Sequence, residues 1–267
     1  MPPHLERVAA YIRETAEADI MPRYRRLAAH EVIEKKPGDI VTVADRDAEA
    51  RLTRMLKGLT PGALVVGEEA THGDPSVLAR LDDPGPLWVI DPVDGTANFA
   101  AGKPLFAVMV TYILGGEARA GWIYDPVRKT MAVAMKGDGA QIDGHPVHVP
   151  ELAPGDPVRG RVNFGSFPDA RRPDLRHRFR ENFTIEKSLR CVGQEFLALI
   201  RGEFQFRLYD RLWAWDHAPG ALILQEAGGH VARVDDAPYR PNERTRALLC
   251  AASPGLWSTL ADCMRAH

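Results

Sequence analysis

Several acidic residues of this sequence lie where an apolar segment stops or starts. They are Glu68 and Glu69 after ALVVG, Asp91 after LWVI, Asp94 three residues later, and Asp216 after WAW. Carboxylates that meet at the ends of buried segments repel one another and are costly to desolvate unless cations compensate them. Hard divalent ions such as Mg²⁺ prefer oxygen ligands, often a few carboxylates together with phosphate oxygens. Together the acids indicate a metal site, although each one alone is more typical of a turn or a helix cap.

Gly95 and Thr96, which follow Asp94 directly, add a second chemical element. If the segment TANF begins a helical turn, the backbone N–H groups of Gly95 and Thr96 point toward whatever lies beside Asp94. The N-terminus of a helix binds anions such as phosphate, and a glycine permits close approach of the backbone. The segment DPVDGT therefore predicts a metal site and a phosphate site that share the same residues.

The composition is that of an ordinary globular protein and excludes several classes of function. The 267 residues carry a formal net charge of −2, with 45% hydrophobic and 26% charged residues, which gives no sign of a nucleic-acid or membrane-surface partner. The cysteines, Cys191, Cys250 and Cys263, show no CxxC spacing, which argues against a disulfide framework and a zinc site. Residues 1–20 contain acids where a signal peptide has an apolar core, and no apolar stretch is long enough for a membrane span. We therefore expect a cytoplasmic protein.

Apolar periodicity and turn residues divide the chain into two halves. An amphipathic helix is predicted over 5–29, a turn at Lys36-Pro37-Gly38, and a second helix from Asp45 to Gly58. Strands are predicted at 63–67, 87–90, 105–114, 118–124 and 131–135, with a hairpin turn at Gly115-Gly116. The Pro- and Gly-rich stretch 150–160 predicts a boundary between an N-terminal domain, 1–150, and a C-terminal domain, 151–267.

Beyond this boundary strands alternate with helices, which is typical of a layered α/β unit. The predicted strands are RVNFG, TIEKSL, FQFRLY, HVARV and ALLCAAS, and the predicted helices cover 173–182, 193–202, 215–227 and 254–266. We expect an α/β fold with an α+β N-terminal half that carries most of the acids and an α/β C-terminal half that carries Asp216.

Four motifs together resemble those of the inositol monophosphatase-like family of magnesium-dependent, lithium-sensitive phosphatases. They are DIVTVAD (39–45), GEE (67–69), WVIDPVDGTANF (88–99) and WDHAPGALILQEAGG (215–229), in the family's order and at about its spacings. The resemblance implies a layered αβαβα sandwich of the inositol monophosphatase/fructose-1,6-bisphosphatase type, usually assembled as a homodimer.

The resemblance also implies roles for individual residues. The implied ligands of two or three Mg²⁺ ions are Glu68, Asp91, the backbone carbonyl of Val93, Asp94 and Asp216. The implied catalytic residues, which orient and deprotonate the attacking water, are Asp45, Thr96 and, in a supporting role, Glu69. The implied phosphate-binding residues are Gly95 and Thr96, and Lys36 lies close to the position of a phosphate-side lysine.

The sequence departs from the family's pattern where the substrate binds. An RSxGSAA-like segment reads RCVGQEF at 190–196, and Tyr209 replaces a glutamate seven residues before the WD aspartate. The implied substrate contacts are Asp94, Gly193, Gln194, Glu195 and Tyr209. Glu195 either replaces the lost contact to a substrate hydroxyl or is a surface helix residue. His217 either touches the leaving group or packs at the start of its helix.

These observations predict a Mg²⁺-dependent phosphomonoesterase that hydrolyses a small phosphorylated polyol or sugar with metal-activated water. Alternatives from the same superfamily are a sugar bisphosphatase, a 3′-phosphonucleotide phosphatase and a histidinol-phosphate phosphatase. A regulatory binding protein with a secondary phosphatase activity also remains open. An aspartyl-phosphate phosphatase of the haloacid dehalogenase kind is excluded, because the nucleophile's position, two residues before Asp94, is Pro92. The expected partners are a small phosphorylated metabolite and a second copy of the chain, with no nucleic acid and no membrane.

Overall fold

The N-terminal segment forms a helical layer. In the computed structural model, which describes residues 4–36, 39–153, 155–243 and 247–265, helix α1 (Leu5–Thr15) continues as a short π-helical segment, Ala16–Ile20. The predicted helix over 5–29 is therefore too long, because Pro22 has no N–H group to extend the hydrogen-bond ladder.

A hairpin connects this helical segment to the second helix. Strands β1 (Val32–Lys36) and β2 (Asp39–Thr42) pair antiparallel and lead into α2 (Val43–Leu59), which confirms the second predicted helix. The predicted turn residues Pro37-Gly38 lie outside the described residues.

A large mixed sheet follows in the N-terminal half. Its strands are β3 (Leu64–Gly67), β4 (Leu87–Asp94), β5 (Ala107–Leu114), β6 (Glu117–Asp125), β7 (Thr130–Met135), β8 (Gly139–Ile142) and β9 (His145–Val147). Only β3 and β4 pair in parallel within this sheet, as far as the structure describes the chain. Short helices α3 (Glu68–Gly73) and α4 (Thr96–Ala100) follow β3 and β4. The predicted hairpin is confirmed, with φ of 67° at Gly115 and 72° at Gly116.

A smaller sheet with its helices forms the C-terminal half. Its strands are β10 (Arg159–Val162), β11 (Thr184–Ile185), β12 (Phe206–Tyr209), β13 (His230–Arg233) and β14 (Leu248–Ala251), in the order β11-β10-β12-β14-β13. The helices are α5 (Arg172–Asn182), α6 (Val192–Ile200), α7 (Ala214–Glu226) and α8 (Pro254–Arg265). The predicted strand TIEKSL is shorter than expected, since Ser188 and Leu189 donate hydrogen bonds to the Glu195 side chain.

These elements stack in five layers. Helices α1 and α2 cover one face of the large sheet over a core that includes Trp88 and Trp122. Helices α6 and α7 lie between the two sheets, and α5 and α8 cover the outer face of the small sheet. This αβαβα arrangement confirms the predicted fold class. The large sheet ends at Val147 and the small sheet begins at Arg159, while a division into two domains near 150 stays a prediction.

None of the helices in the described ranges is long and apolar enough to cross a lipid bilayer.

Candidate active site

Strand β4 loses its regular pairing where its two aspartates occur. The register of β4 with β5 is irregular between Asp91 and Asp94. Gly95 then adopts a left-handed φ of 85° as the N-cap of α4. A Cβ atom at this position would lie 2.8 Å from the carbonyl oxygen of Leu105, so only glycine fits the turn. In a regular strand these two aspartates would point to opposite faces of the sheet, and the irregularity lets them approach one another.

Asp216 joins the two aspartates of β4 in one cluster. One carboxylate oxygen from each of Asp91, Asp94 and Asp216 lies within 4.8 Å of the other two. Asp216 comes from the first turn of α7, the helix that packs between the two sheets. Asp91 is 1% exposed and Asp94 is 7% exposed, so the cluster is largely shielded from water. Acids from both halves of the chain thus meet at one point.

The electrostatics of this cluster fit divalent cations. Burial raises the pKa of Asp91 well above its usual range, and the charges of Glu68 and the neighbouring aspartates raise it further. Burial also raises the pKa of Asp216 to about 8, with an added contribution from the charge of Asp94. Cations placed between such carboxylates relieve both the repulsion and the cost of burial. The donor set is all oxygen, which suits Mg²⁺ better than softer metals.

Asp94 is oriented by the start of helix α6. Its Oδ2 atom accepts hydrogen bonds from the N–H of Gly193 at 2.6 Å and from the thiol of Cys191 at 3.0 Å. These bonds favour the charged carboxylate, whereas burial raises the pKa of Asp94. The contacts connect the C-terminal half to the strand that carries Asp91.

Asp45 and Thr96 form a hydrogen-bonded pair near the cluster. Thr96 Oγ1 lies 3.1 Å from Asp45 Oδ1 and 3.0 Å from the carbonyl oxygen of Val93, so its single proton can be donated to either. The other oxygen of Asp45 accepts the N–H of Thr42 at 2.9 Å and its hydroxyl at 2.5 Å in a capping box that starts α2. Burial raises the pKa of Asp45 to about 6, so this carboxylate is mostly ionised at neutral pH and can accept a proton.

Glu68 and Glu69 occupy the first two positions of α3. Because β3 and β4 are parallel, with Gly67 paired to Ile90, Glu68 leaves the sheet beside Asp91. The charge of Glu68 raises the pKa of Asp91, and the charge of Glu69 raises the pKa of Asp45. The two neighbouring glutamates therefore act on different parts of the site, one on the aspartate cluster and one on the Asp45–Thr96 pair.

Comparisons with known proteins agree with this arrangement. The sequence profile described as "Inositol monophosphatase family" matches residues 4–265. The chain belongs to the inositol monophosphatase family. It is 31% identical over 205 residues to a fructose-1,6-bisphosphatase/inositol-1-monophosphatase from Thermotoga maritima, with 74% of each chain covered. It is also 30% identical over 228 residues to Nus factor SuhB from Haemophilus influenzae, covering 81% of this chain and 80% of the relative.

Similarity in three dimensions extends over nearly the whole chain. The solved structure of an IMPase from Thermotoga maritima has a TM-score of 0.80 to this chain at 22% sequence identity, and covers 96% of this chain and 94% of that one. This likeness shows the shared fold. Membership of the inositol monophosphatase family places the chain among phosphatases, which are hydrolases.

The segment that the resemblance implies for substrate contacts is largely engaged within the protein. Gln194 is 5% exposed, and its Nε2 atom donates to the carbonyl oxygen of Phe106 at 2.9 Å. Glu195 is 1% exposed, so the alternative of a surface helix residue is wrong. Its carboxylate accepts hydrogen bonds from Ser188 Oγ at 2.7 Å and from the N–H of Leu189 at 2.9 Å. Substrate contacts by Gln194 and Glu195 stay predictions.

Arg207 is a buried partner of Glu195 that the sequence reasoning missed. Its Nε lies 2.5 Å from Glu195 Oε2, and its guanidinium lies 4.3 Å from the centre of the Tyr209 ring. The side chains of this ion pair are 4% and 1% exposed. An arginine inside the apolar strand FQFRLY was a usable signal, because a buried charge needs a partner.

Tyr209 and His217 pack against each other. Their rings are 4.6 Å apart and nearly perpendicular, and Tyr209 is 3% exposed. His217 Nδ1 lies 3.0 Å from the carbonyl oxygen of Trp213, and burial lowers the pKa of His217 to about 4. The prediction that His217 packs at its helix start is thereby confirmed, whereas a substrate contact by Tyr209 stays a prediction.

Proposed function

We propose that this protein is a Mg²⁺-dependent phosphomonoesterase that hydrolyses a small phosphorylated polyol or sugar. The observation that carries the proposal is the cluster of buried Asp91 and Asp94 with half-buried Asp216, in which one carboxylate oxygen of each residue lies within 4.8 Å of the other two. Such a cluster is unfavourable on its own and suits hard divalent cations that also bind phosphate oxygens. Family membership adds the reaction class, the hydrolysis of a phosphate ester.

The chain has a donor set for two or three Mg²⁺ ions. The proposed ligands are Glu68, Asp91, the carbonyl oxygen of Val93, Asp94 and Asp216. When bound, Mg²⁺ lowers the pKa of a water molecule and neutralises the charge of the phosphate. Hydrogen bonds from Gly193 and Cys191 hold the Asp94 carboxylate in one orientation. This ligand is therefore oriented before a cation binds.

Asp45 and Thr96 supply the proton transfer in this proposal. The Thr96 hydroxyl donates to Asp45 at 3.1 Å, so its oxygen lone pairs are free to accept a hydrogen bond from the attacking water. As the Thr96 oxygen takes a proton from the water, Thr96 passes its own proton to Asp45, whose carboxylate is charged above a pKa of about 6. Glu69 supports the pair by raising the proton affinity of Asp45.

The phosphate is assigned to the backbone at the start of α4. Gly95 has a left-handed φ of 85° and no side chain, and the N–H groups of Gly95 and Thr96 are the proposed donors to the phosphate. Lys36 ends strand β1, and its side chain is not among those that the structure describes, so a phosphate contact from Lys36 stays a prediction.

The substrate class follows from the relatives and from the substrate-side residues. The name of the Thermotoga maritima relative joins fructose 1,6-bisphosphate and inositol 1-phosphate, which are a sugar and a polyol phosphate. Asp94 and Gly193 remain the proposed contacts to the substrate. Gln194, Glu195 and Tyr209 depart from the inositol-binding pattern. The polar groups of Gln194 and Glu195 are occupied by contacts within the protein, and the Tyr209 ring packs against His217, so we propose the wider class instead of inositol phosphate alone.

A phosphate-release assay tests the proposal. The substrates are inositol 1-phosphate, fructose 1,6-bisphosphate, a 3′-phosphonucleotide and histidinol phosphate, each with Mg²⁺, with EDTA and with added Li⁺. We expect turnover that requires Mg²⁺ and that is abolished in Asp91→Asn. If no phosphomonoester is hydrolysed at any Mg²⁺ concentration, the proposal is wrong.

A regulatory binding role is the second candidate function. It draws on the Haemophilus influenzae relative, which is named a Nus factor. Acids at each of the proposed carboxylate ligand positions favour the enzyme, because a purely regulatory protein has no need to keep mutually repelling buried carboxylates. A cytoplasmic location and a homodimer stay predictions, and light scattering after size-exclusion chromatography tests the homodimer.

A further inference from the structure

Glu49 is a buried acid that lies outside the proposed metal and catalytic residues. It follows Asp45 by four residues on α2, so both side chains lie on the same face of that helix. Glu49 is 7% exposed. Its Oε2 atom accepts the N–H of Glu69 at 2.8 Å, and its Oε1 atom accepts the N–H of Ala70 at 2.8 Å. One carboxylate from α2 therefore binds two backbone groups in the first turn of α3.

Gly67 makes this contact possible. It is the N-cap residue of α3 and the last residue of β3. A Cβ atom at Gly67 would lie 2.3 Å from Glu49 Cδ and 2.5 Å from both of its carboxylate oxygens. The glycine of the GEE motif thus leaves the space that the Glu49 carboxylate fills.

The contact compensates for the shortness of α3. This helix has six residues, and the first N–H groups of any helix have no partner inside the helix. A carboxylate can accept the N–H groups of Glu69 and Ala70, one with each oxygen. The side-chain amide of a glutamine would instead turn an NH₂ group toward one of these donors. The two charge-assisted hydrogen bonds also offset part of the cost of burying a further negative charge near the cluster.

We propose that Glu49 is a positioning residue that fixes the start of α3 and thereby sets the directions of the Glu68 and Glu69 carboxylates. The inference rests on the proposed function, because it assigns Glu68 to a divalent cation and Glu69 to the Asp45–Thr96 pair. Residues that orient metal ligands typically change metal affinity by 10–100-fold when they are replaced. Glu49→Gln should therefore weaken Mg²⁺ binding about tenfold or more, although Glu49 is not one of the proposed ligands.

The experiment measures metal binding without reference to turnover. Mn²⁺ binding to the metal-free protein is followed by electron paramagnetic resonance, and Mg²⁺ binding by the shift in Tm. Asp47→Asn is the matched control, since it removes one carboxylate from the same helix at an exposed side chain that pairs with Arg23. We expect wild-type affinity in Asp47→Asn and about tenfold weaker binding in Glu49→Gln. Wild-type affinity in a folded Glu49→Gln would overturn the inference.

Hydrogen–deuterium exchange gives a readout that needs no metal. In the metal-free protein the amides of Glu69 and Ala70 should exchange at least tenfold faster in Glu49→Gln, while amides in the middle of β4 keep their protection. Unchanged protection of both amides would show that Glu49 does not hold α3.

A second variant keeps the test decisive if Glu49→Gln does not fold. Gly67→Ala leaves the charge in place but displaces the Glu49 carboxylate, the flexible end of its side chain. It should weaken Mn²⁺ binding in the same direction, and wild-type affinity would contradict the inference. If the wild-type protein binds neither Mn²⁺ nor Mg²⁺, the proposed function is wrong, and this inference is wrong with it.

Discussion

Replacement of Asp216 by asparagine isolates the repulsion inside the acidic cluster. Asp216→Asn keeps the size and shape of the side chain but has no group that can ionise beside Asp91 and Asp94. In the absence of metal, we expect the variant to be more stable than the wild type at neutral pH. With Mg²⁺ the order should reverse, because only the wild type retains its full set of carboxylates for the cation.

The magnitude follows from the raised pKa of Asp216. Its pKa of about 8 in the folded protein compares with an ordinary value of 3.8. The folded state therefore binds more protons than the unfolded state between these values, and the stability of the metal-free wild type falls as the pH rises through this range. At about 1.4 kcal/mol per pH unit, the loss reaches roughly 4 kcal/mol at pH 7 as an upper limit.

Part of this loss is recovered by the substitution. Burial of the carboxyl is the largest cause of the raised pKa, and the charge of Asp94 is the second. Asparagine has no proton to bind but is a polar group at the same position, so we expect it to return about 1–2 kcal/mol, or roughly 2–8 °C in Tm for a chain of this size. Below about pH 3, under the ordinary value of 3.8, the wild-type carboxyl is protonated in both folded and unfolded states, and the difference between the two proteins should disappear.

Thermal unfolding of the metal-free proteins in EDTA from pH 3 to pH 8 measures this effect, and a Mg²⁺ titration at pH 7.5 gives the second half of the comparison. Asp210→Asn serves as the control with the same change of charge. Asp210 lies outside the acidic cluster, and its carboxylate accepts a hydrogen bond from Asn163. If metal-free Asp216→Asn is less stable than the wild type at pH 7.5, or shows the same pH dependence, the carboxylates do not repel one another as described.

Three further predictions concern other parts of the site. Thr96→Val should lower kcat about 10²–10⁴-fold, because it breaks the proton path to Asp45. The rise in Tm on Mg²⁺ binding should be kept, because no proposed metal ligand is removed, and a loss of this rise would contradict the role. Arg207→Met should cost about 3–5 kcal/mol in urea unfolding, since Glu195 keeps a buried charge without its partner, and adding Glu195→Gln should restore part of that loss. Gly95→Ala should lower stability by about 1–3 kcal/mol and lower activity, because the left-handed turn and the nearby carbonyl of Leu105 reject a side chain; unchanged urea unfolding would refute this reason.

Local patterns were enough to predict most of the secondary structure. The second helix and the Gly115-Gly116 hairpin depend on periodicity and turn residues within short segments. The strand predicted over 87–90 is present, but it continues through the aspartates to Asp94. The prediction was wrong for the opening helix, where Pro22 stops the ladder despite continuing apolar periodicity. It was also too long for TIEKSL, whose last residues bond to a side chain of α6 instead of a neighbouring strand.

The sequence by itself determined which acids follow buried segments, and the motifs that carry them determined the family and the class of chemistry. Only the tertiary structure decided which side chains meet. It brings Asp216 to the aspartates of β4 and buries the Glu195–Arg207 ion pair. It also places the Glu49 carboxylate within hydrogen-bond distance of the first turn of α3. Each of these contacts joins residues on different elements, and their distances depend on how the helices pack between and over the two sheets. Periodicity reports the buried face of an element, but it does not report which distant residue lies opposite that face.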